Sequence, residues 1–103
     1  MSDIQAVTMP KIGLTMEEGT VALWQVAEGD AVAPGQHIVD IEIEKSTNEV
    51  EARVAGVMRR QVAAESQVLP VGALMAVIAP ADAADAEIDA FIRNFKPVET
   101  AYY

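Results

Sequence analysis

The sequence predicts an all-β body closed from two similar halves, followed by a short helix. Three observations carry this. Apolar residues make up 51% of the chain but aromatics only 5%, so Val, Ala and Ile must build the core, which suits strands packed through branched side chains. Residues 25–41 can be laid over residues 61–77, with agreement at Gln25/Gln61, Val26/Val62, Ala27/Ala63, Val32/Val68 and Pro34/Pro70, and at Gly19/Gly56 and Gly35/Gly72 with one residue of slippage. Two copies are too few for a solenoid, which needs about three, so each half is expected to cover the other's apolar face. Finally, the apolar period changes from two to 3.6 after Pro80.

The elements follow in order. Val7-Thr8-Met9 reads as a short strand that Pro10 closes or places at a sheet edge. Lys11 to Gly19 is a loop. Thr20 to Val26 alternates, with Val21 and Leu23 expected on one face and Ala22, Trp24 and Val26 on the other, Trp24 serving as a core or core-edge ring. Turn signals at Glu28-Gly29-Asp30 and Ala33-Pro34-Gly35 leave room for a short strand at Ala31-Val32.

Ile38 to Ile43 and Thr47 to Ala52 form a hairpin with Glu44-Lys45-Ser46 at or near its tip. Ile41 and Ile43 share one parity, as do Val50 and Ala52, so a lone primary amine is held away from the body. The turn has no Asn-Gly or Asp-Gly pair, which leaves its type open. The hairpin lies between the two half-repeats. Gly56 to Val62, Val68 to Gly72 and Ala73 to Ala79 complete the strands around a polar turn at Glu65-Ser66-Gln67.

Within Ala81 to Phe95, Ile88, Phe91, Ile92 and Phe95 recur at helical spacing, with Asp82 or Asp85 as the N-cap and Arg93 and Lys96 in the last turn. This stripe can dock on the barrel, on a neighbouring chain or on a following domain. Pro97 stops the helix, and Val98 to Tyr103 reads as an unstructured end. The division is residues 1–80 as one domain and 81–103 as helix and tail, or the start of a linker.

Charge and composition exclude several functions. With a net charge of −9 and only Arg59-Arg60 adjacent as basic residues, neither nucleic acid nor an anionic membrane is an expected partner. No apolar run approaches the ~20 residues of a membrane span and no signal-peptide pattern opens the chain, so a cytoplasmic location is expected. Cysteine is absent, and no metal-ligand cluster or nucleophile–base pair is evident, so the chain is not expected to be an enzyme by itself. His37, the only histidine, needs no role.

Met9 to Val21, Val26 to Val32 and Ile41 to Thr47, continuing through Val50-Glu51-Ala52 and Ala55-Gly56-Val57, resemble the lipoyl domains of 2-oxoacid dehydrogenase complexes over roughly residues 7–79. The resemblance implies a flattened β-barrel (barrel-sandwich hybrid) of two antiparallel four-stranded sheets with approximate two-fold symmetry. It also implies lipoic acid covalently attached to Lys45. Glu44 stands where Asp is commoner, and Asn48 where a branched apolar residue is commoner.

The resemblance further implies a swinging-arm carrier. Its partners would be a lipoate-attaching enzyme, a thiamine-diphosphate dehydrogenase, an acyltransferase catalytic domain and dihydrolipoamide dehydrogenase. Glu44 and Ser46 would flank the attachment point, while Glu42, Glu49, Leu14, Thr15, Met16 and Glu17 would serve partner recognition. The acids Glu42, Glu44, Glu49 and Glu51 read equally as the solvated faces of two strands. Biotin carriers share this fold but typically place the lysine between methionines, whereas Glu44 and Ser46 flank Lys45. The glycine-cleavage carrier also bears lipoyl-lysine, but the Met9-to-Gly19 opening is similar to the dehydrogenase branch. Leu69 to Leu74 and Glu87 to Phe91 look most like acyltransferase chains of acetoin dehydrogenase systems. The readings set against the lipoyl carrier are a biotin carrier and a noncatalytic adaptor binding a partner through the C-terminal helix.

Overall fold

The computed structural model describes residues 4–13 and 15–96. Among the described residues eight strands and one helix follow one another: β1 (Gln5–Thr8), β2 (Glu18–Trp24), β3 (Ala31–Val32), β4 (His37–Ile43), β5 (Ser46–Glu51), β6 (Gly56–Gln61), β7 (Val68–Pro70), β8 (Leu74–Ala79) and α1 (Asp85–Asn94). The strands make two four-stranded antiparallel sheets, ordered β1-β8-β6-β3 and β5-β4-β2-β7. Between them lies a core of aliphatic side chains, including Val21, Ile38, Ile41 and Ile78. Met9, Met58 and Met75 are fully buried among these, unbranched side chains that fill the gaps a ring-poor core leaves. The expected flattened two-sheet barrel is therefore what the chain forms.

The two halves are related strand by strand. A shift of 37 residues carries Val21, paired with Ile41, onto Met58, paired with Ile78, and likewise Gly19, paired with Leu69, onto Gly56, paired with Val32. The equivalence seen in sequence at Gln25/Gln61 is thus one residue out of register. The glycine pairs, which needed slippage, are the ones in step, because they occupy equivalent backbone sites. Gly35 and Gly72 both have positive φ, and Ser66, at φ 75°, stands where the other half has Gly29, at φ 96°.

Hydrogen bonds cross between the halves in matched pairs. The Trp24 indole N–H donates to the Ala63 carbonyl at 3.0 Å, and the Gln61 side-chain amide donates to the Val26 carbonyl at 2.6 Å. The Trp24 backbone N–H donates to the Glu65 carboxylate at 3.0 Å, and that of Gln61 to the Glu28 carboxylate at 2.7 Å. Register shifts also match, falling between Val21 and Leu23 and between Met58 and Arg60. The first of these overturns the expected face of Leu23. Ala22 is an extra residue in β2, so the parity flips after Val21: Trp24 packs on the core and Leu23 turns outward to solvent.

The equivalent bulge at Arg59 aims its guanidinium at the chain leading into α1. It donates to the carbonyls of Pro80 (2.7 Å), Ala81 (3.2 Å) and Ala83 (2.9 Å), and to the Asp85 carboxylate at 2.8 Å. Arg60 reaches Asp85 at 3.3 Å and Asp89 at 3.6 Å. This grip corrects the capping expectation. Ala84 occupies the N-cap with no side-chain hydrogen bond, since Asp85 lies one residue inside the helix with its carboxylate engaged by arginines. Lys96 lies beyond the helix, and Pro97 and Val98 to Tyr103 fall outside the described residues.

Of the three partners open to the apolar stripe, the chain's own body is the one used. Ile88 is fully buried against Ile4, Val77 and Ala79 on the outer surface of the first sheet, with Phe91 and Ile92 packed beside it. An adaptor reading that needs this stripe free loses its surface. No helix among the described residues is long and apolar enough to cross a membrane.

Two outcomes are expected. Ser66→Gly relieves a left-handed backbone and should stabilise the protein by roughly 0.5–1 kcal/mol in urea unfolding; a loss of stability contradicts the strain. Hydrogen bonds from Arg59 and then Arg60 hold the Asp85 carboxyl below the ordinary aspartate range. The pairing therefore contributes above that range and is lost as pH falls through the lowered value. Amide resonances of α1 should report weaker docking in acid, by an amount that shrinks in Asp85→Asn.

Candidate functional site

Ile43 pairs with Ser46, so β4 and β5 are joined by a two-residue turn, Glu44-Lys45. Glu44 has φ 56° while Lys45 is not left-handed, the sign pattern of a type II′ turn, whose twist suits the flanking strands. The register below the turn is set by Ile41 and Ile43 on β4 and by Asn48 and Val50 on β5, all turned toward the core side. Asn48 thus keeps the inward parity despite being polar. Lys45 is exposed, and among the described residues no hydrogen bond or ion pair engages its ammonium group. The arrangement is a primary amine at the end of a long aliphatic stem on a stiff post, open to any enzyme that approaches.

Around this tip Glu42, Glu44, Ser46, Glu49 and Glu51 are all exposed. Glu42 lies on the outer face of the second sheet, opposite Thr47, and Glu49 lies opposite Asp40 on the same face. Asp40, not singled out from sequence, shares that face but is half-buried, and its carboxylate accepts the Gln25 side-chain amide at 2.8 Å. The parity that turns Glu42 outward applies to it equally. His37 sits between two of them, Nε2 at 2.5 Å from Asp40 Oδ1 and Nδ1 at 3.3 Å from Glu49 Oε1.

The loop before β2 is divided in its roles. Thr15 and Glu17 are exposed, and Leu14 lies outside the described residues. Met16, expected at a recognition surface, is instead buried in the core, and its sulfur accepts the Ile12 N–H at 3.1 Å. The apolar thioether drives it inward, where it anchors the loop. At Gly19 that anchor meets the hairpin strand: a Cβ there would stand 2.9 Å from Met9 Sδ, 3.0 Å from Ile41 Cγ2 and 3.2 Å from Met16 Cε. The loop base and β4 therefore share one packing point.

A cleft of about 770 Å³ runs between β1 and β5, bordered by Val7, Lys11, Glu49 and Arg53, but Glu44, Lys45 and Ser46 do not line it. No group of His, Asp or Glu among the described residues is arranged to hold a metal ion. The chemistry available at the tip is that of an attachable amine.

Comparison with known proteins agrees with this geometry. The family model described as "Biotin-requiring enzyme", covering biotin and lipoyl domains, matches residues 5–78. The dihydrolipoyllysine-residue acetyltransferase component of the acetoin cleaving system of Pseudomonas putida is 47% identical over 96 residues, 93% of this chain and 26% of the relative. Its counterpart in Cupriavidus necator is 48% identical over 90 residues, 87% of this chain and 24% of the relative. The chain thus spans about a quarter of the length of these curated relatives. Among solved structures, the lipoyl domain of the 2-oxoglutarate dehydrogenase complex from Azotobacter vinelandii superposes with a TM-score of 0.60 at 33% identity, covering 71% of this chain and 92% of that domain. A paired-sheet barrel with an exposed lysine at a two-residue hairpin, matched along nearly the whole of a lipoyl domain, leads to one conclusion: the chain belongs to the biotin/lipoyl family and is a lipoyl domain within it.

Proposed function

We propose that Lys45 is the lipoylation site and that residues 1–80 act as a swinging-arm acyl carrier, with 81–103 as its helix and a C-terminal tail or the start of a linker. The observation that carries this is the exposed, unpaired Lys45 ammonium on the Glu44-Lys45 turn. Such an amine fits amide formation with an activated lipoyl carboxyl, since no partner has to be displaced and no neighbouring side chain has to move. When attached, lipoic acid supplies a dithiolane–dithiol couple that takes up acyl groups and reducing equivalents. The chain's own part is position: the hairpin holds the stem of Lys45 clear of the barrel, and the amide removes its charge. Catalysis belongs to other components.

Similarity to acetoin-system acyltransferases supports a place in a chain of that kind, in the cytoplasm, visited by a lipoate-attaching enzyme, a thiamine-diphosphate dehydrogenase, an acyltransferase catalytic domain and dihydrolipoamide dehydrogenase. Tethering to that chain would hold the arm near its partners at roughly millimolar effective concentration. Glu44 and Ser46 flank the site for the attaching enzyme. Glu42, Glu49, Thr15 and Glu17 are exposed where an incoming partner can read them.

Co-expression with a lipoylation pathway should give one lipoyl increment in intact mass, mapped to the peptide containing Lys45 and absent in Lys45→Arg; unmodified wild type in the presence of a competent ligase rejects the assignment. A streptavidin-positive product would assign the lysine to biotin instead. Glu44→Gly should relieve the positive φ and raise stability by about 0.5–1 kcal/mol while slowing attachment. Attachment at the wild-type rate would remove the Glu44 carboxylate from recognition.

A further inference from the structure

The near-symmetry of the barrel makes the outer faces of its two sheets equivalent positions, yet the chain fills them with opposite chemistry. On the first sheet Val77 and Ala79 face outward and are sealed beneath α1. Their equivalents on the second sheet, through the pairings of Ile78 with Met58 and Ile41 with Val21, are Asp40 and Glu42. No described helix lies over these: Glu42 is exposed, while the Asp40 carboxylate is held by His37 and accepts the Gln25 side-chain amide at 2.8 Å. Paired residues share a face, so the register lays out two rows across this surface. One runs Leu23, Asp40, Glu49; the other runs Val68, Thr20, Glu42, Thr47 and ends one pair from the turn that carries Lys45.

Both rows begin at an exposed aliphatic side chain and carry acid toward β5, Asp40 and Glu49 in one and Glu42 in the other. Leu23 is 48% exposed and Val68 52%, two of only four large hydrophobic residues so exposed among the described residues. Leu23 is held outward by the Ala22 bulge, in the position that Arg60 takes in the other half. An apolar end graded into an acidic end, continuous with the lysine tip, suits a protein surface with an aliphatic contact beside basic side chains.

We infer that this outer face of β7, β2, β4 and β5 is the docking surface for the enzyme that acylates the arm, with Leu23 and Val68 as its apolar seat and the exposed Glu42 and Glu49 facing basic side chains of that enzyme. This rests on the carrier reading of Lys45. It adds that the dehydrogenase approaches from one sheet face, and that binding is set by residues which never meet the reacting group.

The test uses the whole chain, lipoylated and checked by intact mass, as substrate for the thiamine-diphosphate dehydrogenase of an acetoin-cleaving system. Leu23→Lys combined with Val68→Lys should raise KM for the domain by roughly tenfold with kcat within about twofold, and Val62→Lys, at an exposed valine outside both rows, should change neither. Added salt should raise the wild-type KM. If melting shows the double variant unfolded, Leu23→Ala should still raise KM about threefold. An unchanged KM, a loss confined to kcat or to lipoylation, or an equal effect of Val62→Lys overturns the docking face. A wild-type chain that stays unmodified defeats the carrier reading first, and the docking face falls with it.

Discussion

The structure depends on polar groups that neither half can satisfy alone. Trp24 and Gln61 occupy equivalent sites, and each sends its side chain to a carbonyl of the opposite half and its backbone N–H to a carboxylate of the opposite half. A single half would leave these donors without their partners and its apolar face open to water, and each unsatisfied polar group costs on the order of 1–3 kcal/mol once buried. Folding is therefore expected to be cooperative across the pair. No buried side-chain nitrogen or oxygen among the described residues lacks a partner. The lysine hairpin lies at the crossing from one half to the other, so its position is fixed by the same exchange that closes the barrel.

How much of this could be read from the sequence depended on where the backbone stays regular. The hairpin register was legible because Ile41, Ile43 and Val50 alternate without interruption up to the turn. Leu23 was not. Val21 and Leu23 have the same chemistry at the spacing of a shared face, and only the Ala22 bulge, which leaves no mark in an apolar pattern, separates them. The repeat was visible but displaced by one residue, since identities at Gln-Val-Ala outweighed the glycines whose backbone sites correspond. Asp85 looked like a cap because nothing in the local sequence shows that two arginines some 25 residues earlier will take its carboxylate.

The site was legible in a narrower sense. Composition and alternation identify an amine on a polar turn, but the attached group is absent from the sequence, and only the resemblance of the Met9-to-Gly19 loop and the Ile41-to-Thr47 hairpin to lipoyl domains names it. Met16 shows where such transfer needs the structure. A residue in a loop read as recognition proves to be the thioether that pins the loop beneath β4, so any influence it has on a partner passes through the loop's position.

Symmetry that helps build the barrel would work against a carrier if it extended to the surface. Two equal outer faces would offer a partner two ways to bind, only one of which has the β4–β5 turn at its end. The chain departs from symmetry at that level. Val77 and Ala79 answer Asp40 and Glu42, Arg60 answers Leu23, and α1 is fastened over the first set by Arg59 through three carbonyls and Asp85. Part of the chain's basic charge is thereby used within the molecule to hold the helix, and the face nearest the lysine remains acidic. A cationic partner drawn by the net charge of −9 would be steered toward the side from which Lys45 can be reached.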